Sequence, residues 1–69
     1  MDEPYDMDTL RIRLQEMRVE HRDLDAAIAQ LLEAKPADEL MLRRLKKRKL
    51  HLKDRIVQIE GMLEPDIPA

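Results

Sequence analysis

The segment LLEAKPADELML, residues Leu31 to Leu42, decides between one long helical rod and a hairpin. Pro36 lacks a backbone N–H, and its ring clashes with the preceding turn. A helix running through it would lose about 3 kcal/mol or more. Proline does fit the first turn of a new helix, and Asp38 and Glu39 follow where acids suit the positive end of a helix dipole. Lys35, directly before the proline, is pushed toward extended backbone. A short helix–helix connection is therefore expected at 35–37.

On either side of this break the apolar pattern is regular. Upstream, Met7, Leu10, Leu14, Met17, His21, Leu24, Ile28 and Leu31 recur at alternating steps of three and four. That is a heptad with seam positions a and d. Downstream the seam reads Leu42, Leu45, Lys49, Leu52, Ile56, Ile59 and Leu63. Each seam holds a single polar residue, His21 in the first and Lys49 in the second. The expected helices span 7–34 and 37–63. Asp6, Asp8 and Thr9 are candidate N-caps for the first. Gly61 weakens the last turns of the second by about 1 kcal/mol relative to alanine. Residues 1–6 are expected to be a flexible acidic lead-in, since Pro4 blocks an early helix, and 64–69 a flexible tail containing Pro65 and Pro68.

Folding the chain at Pro36 brings the two seams into register. Leu31 meets Leu42, Ile28 meets Leu45, Leu24 meets Lys49 and His21 meets Leu52. Beyond them Met17 meets Ile56, Leu14 meets Ile59 and Leu10 meets Leu63. Every a residue faces a d residue, as an antiparallel coiled coil requires. Seam register and breaker position are independent signals, and they agree. The predicted fold is all-α, an antiparallel two-helix coiled-coil hairpin. The same register sets Arg11 near Glu60, Asp25 near Lys46 and Glu20 near Arg55, with Arg18 opposite Lys53.

Composition fits this fold. With 69 residues there is room for one small domain. Charged residues make up 41 % and apolar ones 43 %, with a single aromatic, Tyr5, and no cysteine. Such usage belongs to long helices, and the apolar content is too high and too periodic for a disordered chain. A core this small rarely supplies more than about 3–5 kcal/mol. Disulfides cannot help, which leaves well-packed helix pairing or oligomerisation as the sources of stability. No apolar run approaches the ~20 residues of a membrane span, and the acidic start lacks a signal-peptide hydrophobic region. A cytoplasmic protein with no membrane contact is expected.

His21, Asp25 and Lys49 form a candidate polar seam. Asp25 follows His21 by four residues and lies across from Lys49, so one carboxylate can partner both. The two readings are that these groups simply reach solvent at the seam edge, or that they fix register and recognition at some cost in stability. Outside the seam, Ile12 and Val19 on the first helix and Leu50 and Val57 on the second recur at heptad spacing. They cannot enter the intramolecular seam, and they form a second stripe. That stripe points to a homo-oligomer, a helical bundle of several copies, or to an unidentified protein partner.

Chemistry is sparse. The chain has no serine or cysteine, and Thr9 is its one aliphatic hydroxyl. There is no glycine-rich phosphate loop. His21 and His51 fall on different helix faces, so no metal site is expected. No catalytic residues, cofactor or enzyme activity are expected. The basic run Arg43, Arg44, Lys46, Lys47, Arg48, Lys49, Lys53 and Arg55 is a candidate anion-binding strip. It wraps the helix instead of forming one face, and no aromatic is present in it for base stacking.

The residues Glu20-His21, Leu24 and Ile28, followed by Leu42, Leu45-Lys46-Lys47, Lys49-Leu50, Leu52-Lys53-Asp54 and Ile56, resemble the YdcH-like family. The resemblance covers about residues 12–60. It implies a small bacterial, cytoplasmic helical hairpin of unknown function, with no catalytic residues to carry over. It also marks Glu20-His21 and Lys49 through Asp54 as the positions best placed for recognition. The function expected is a non-enzymatic interaction or scaffolding module acting through helix–helix contacts. The alternative is a small nucleic-acid-associated regulator using Arg43 to Arg55.

Overall fold

The computed structural model describes residues 6–63 of the chain. The expected flexible segments at 1–6 and 64–69 lie outside the described residues, Asp6 excepted. Two helices make up the fold, α1 (Met7–Glu33) and α2 (Glu39–Leu63). Each is roughly 40 Å long at 1.5 Å per residue. They pack side by side and run antiparallel: Arg18 of α1 reaches Glu60 of α2, Glu20 reaches Arg48, and Asp25 reaches Lys49.

Local chemistry sets the helix ends. Asp6 is the N-cap of α1 in extended backbone, and its carbonyl accepts the first helical bond from the Leu10 N–H at 3.0 Å. Its carboxylate accepts from the Thr9 hydroxyl at 3.1 Å, not from a backbone N–H. At the far end Ala34 is extended, at φ −75° and ψ 148°, and its N–H closes a tight last turn on the Leu31 carbonyl. The helix thus stops one residue short of the expected 34.

The start of α2 differs more. It begins at Glu39, two residues after the expected 37, and Pro36 lies in the connection instead of the first helical turn. Asp38 explains the delay. Its carboxylate accepts the Met41 N–H at 3.0 Å while its carbonyl accepts the Leu42 N–H at 3.0 Å. An aspartate cap satisfies an orphan N–H that a proline start leaves open.

The buried side chains all come from the expected seam, but its first position, Met7, at the open end, is 46 % exposed. Leu14, Met17, Leu24, Ile28, Leu42, Ile56 and Ile59 are buried. Leu14, Met17, Ile56 and Ile59 form one cluster near the open end, with Leu10, Leu52 and Leu63 packed against it. Leu24, Ile28 and Leu42 continue the seam toward the bend. Between these groups lie His21 and Lys49, both half-buried. No described side chain is fully enclosed, and the most buried, Ile59, keeps 4 % of its surface exposed. Two helices can cover each other on one side only, so the core stays thin.

Candidate functional site

The polar layer is built from both helices. His21 and Asp25 sit one helical turn apart on α1, which places them on the same side. Lys49 projects from the seam of α2, and its ammonium forms an ion pair with Asp25 Oδ1. The other carboxylate oxygen, Oδ2, lies 3.8 Å from His21 Nδ1. This is too long for a hydrogen bond but close enough for charge attraction when the imidazole is protonated. Asp25 therefore stands between both polar seam residues. Its carboxyl is held below the usual carboxylate range, chiefly by the hydrogen bond from Lys49; desolvation opposes the shift, and the charges of Lys49 and His21 add to it.

Beside this layer is an open groove of about 440 Å³ lined by His21, Ile28, Lys46, Lys49, Leu50 and Lys53. Its walls carry three ammonium groups, with apolar surface from Ile28 and Leu50. Nothing in it forms an enclosed polar pocket of the kind that holds a small-molecule substrate.

The basic run does not form one strip. Lys46, Lys49 and Lys53 border that groove, whereas Arg44, Lys47, Arg48 and His51 line a second hollow on α2. Arg43 is at the bend with Leu32, Ala37, Glu39 and Leu42, and Arg55 is at the open end with Thr9, Leu10 and Arg13. Arg48 is also engaged: its Nε and Nη2 both donate to Glu20 Oε2, at 3.0 and 2.6 Å.

The charge pairs differ from the sequence expectation in a regular way. Glu60 takes Arg18 at 2.8 Å instead of Arg11, which turns to Asp8 on its own helix at 3.4 Å. Glu20 takes Arg48 instead of Arg55, whereas Asp25 takes the expected Lys49, with the flanking Lys46 left out of the pair. In the first two cases the partner is displaced by seven residues. It stays on the same flank of the seam but lies two turns away. Long flexible side chains bridge that offset, and the weak energies of exposed pairs do not forbid it.

The four residues of the expected second stripe are exposed, but they fall into two separate rows, one on each helix, instead of one stripe. Ile12 is 61 % exposed, Val19 48 %, Leu50 63 % and Val57 52 %. Ile12 and Val19 line a shallow hollow with Gln15 and Glu16, on the side of α1 away from the seam. Leu50 faces the basic groove.

A family model described as a protein of unknown function, DUF465, matches residues 14–60. The chain belongs to the DUF465 family. YdcH-like small helical proteins are members of it, so the resemblance and the family match agree. The matched region of this DUF465 chain contains the bend, the His21–Asp25–Lys49 layer and both seams apart from Met7, Leu10 and Leu63. No curated protein and no solved structure matches the chain. Among the described residues no group of three His, Cys, Asp or Glu side chains gathers to hold a metal ion, and no helix is long and apolar enough to cross a membrane.

Proposed function

We propose that this DUF465 chain is a non-enzymatic interaction module that works through helix–helix contacts in the bacterial cytoplasm. The observation that carries this reading is the pair of exposed apolar rows, one on each helix. Ile12, Val19, Leu50 and Val57 all remain about half exposed or more after the hairpin has closed. Isolated surface apolar residues are ordinary. Four of them at heptad spacing on both helices match what a further helix packs against.

The test uses sedimentation velocity at low micromolar concentration, with capture of extract proteins on the immobilised chain in parallel. The Ile12→Lys/Leu50→Lys variant serves as the comparison. A species heavier than the 8.2 kDa chain, or a retained protein, is expected for the wild type and lost in the variant. An 8.2 kDa species together with identical capture by both chains refutes the reading.

The hollow lined by Arg44, Lys47, Arg48 and His51 favours a second reading, a regulator that contacts nucleic-acid phosphates. Retention on DNA or RNA whose log affinity falls steeply with log salt supports it. No retention at low salt removes it.

A further inference from the structure

Two exposed rows on the hairpin are complementary to each other but cannot meet within one copy. On α1 the row is Ile12, Glu16, Val19 and Asp23; on α2 it is Lys46, Leu50, Lys53 and Val57. All eight residues are exposed. Both rows step by four, three and four residues, which is the spacing of a coiled-coil seam. Both alternate apolar with charged residues, and their signs are opposite: α1 presents acids and α2 presents lysines.

We infer that the outer face of α1 docks onto the basic groove side of α2 in a second copy of this chain, with the two helices antiparallel. In that register Ile12 faces Val57, Glu16 faces Lys53, Val19 faces Leu50 and Asp23 faces Lys46. Every apolar residue meets an apolar one, and every acid meets a base. One neighbouring flank sets Arg13 beside Asp54 and Glu20, already paired with Arg48, beside Lys47; the other sets Arg22 near Lys49 with like charge. None of Glu16, Asp23, Lys46 and Lys53 is in an ion pair with another described residue, although Arg18, Glu20, Asp25, Arg48, Lys49 and Glu60 all are. The row on α1 points away from the intramolecular seam, so the α2 row of the same copy is out of its reach. The two docking surfaces are different, which makes the contact heterologous. Each copy offers one of each, and assembly closes as a ring or continues as a chain.

This inference rests on the interaction-module reading and names one partner for it. Sedimentation velocity and helical circular dichroism of the full chain test it with Glu16→Lys, Lys53→Glu and the double variant. Each single reversal is expected to weaken self-association by about tenfold or more, because an attractive contact becomes a like-charge one. The double variant is expected to recover it, since the reversed pair is again opposite in sign. All three should keep wild-type helicity; if one does not, Asp23→Lys and Lys46→Glu pose the same question at the other end of the row. Self-association that neither single reversal moves overturns this register and leaves the module reading standing. So does a double variant that stays as weak as the singles. A wild-type chain that remains monomeric while capturing a different protein through its exposed rows also overturns it, again without touching the broader reading.

Discussion

Asp25 carries the link between charge and stability at the scale of single residues. Its carboxyl titrates below the ordinary value of 3.8, first because Lys49 donates a hydrogen bond to it. A carboxyl whose folded value is depressed stabilises the fold fully above its unfolded value. That contribution disappears as pH falls through the folded value. Asp25→Asn keeps the shape and removes the titration. The wild type is therefore expected to exceed the variant in urea midpoint by a small, constant margin at neutral pH, and the margin should close below about pH 4. The comparison isolates this group, because the other carboxyls titrate alike in both chains. A margin that is unchanged down to full protonation would show that the Asp25–Lys49 contact contributes nothing to folding. The sequence placed Asp25 between His21 and Lys49 because that needs only helical spacing and seam register. It could not choose partners for Glu60 or Glu20, because each glutamate on the flank can reach either of two arginines a heptad apart.

At the scale of the helix, the clearest new feature is the start of α2. Pro36 and Asp38 each suit a helix start, and the two signals compete over a few residues. Sequence rules rank neither above the other, so the break was legible and its far edge was not. The structure places the cap at Asp38, whose carboxylate holds the Met41 N–H. Asp38→Ala is expected to cost about 1 kcal/mol, within the usual 0.5–2 kcal/mol range for lost caps. Equilibrium urea unfolding reads this as a lowered midpoint at unchanged slope. Asp38→Asn, which keeps the acceptor, should retain most of the stability. If the alanine variant unfolds like the wild type, Pro36 rather than Asp38 sets the start of α2. The seams themselves were legible from Leu10 onward, Met7 being exposed. A strict three-four repeat on both sides of one proline leaves a single antiparallel register, and the buried residues are the ones it selects. The rows Glu16–Asp23 and Lys46–Lys53 were harder to see. Taken singly, charged residues on an outer face read as solvated surface, and complementarity emerges only once the exposed apolar positions are set against each other.

For the whole molecule, the arrangement couples folding to association. Seven buried side chains form the core, none of them fully enclosed, and a half-buried polar layer divides them. The chain has no cysteine for a disulfide, and among the described residues no cluster of metal-ligating side chains gathers. A domain of this size has little margin from its own core. The apolar rows left outside amount to stability that the hairpin alone does not use, and a second copy covering them would bind the folded chain but not the unfolded one. Linkage then requires the thermal midpoint to rise with protein concentration. Over about a hundredfold range in concentration a monomeric fold shows no such rise, whereas one stabilised by its own copies shifts by several degrees. Glu16→Lys should flatten the dependence by weakening the contact between copies, and the Glu16→Lys/Lys53→Glu pair should restore it. A midpoint independent of concentration in the wild type would mean that the hairpin stands alone, and that its exposed rows are kept for a partner of another kind.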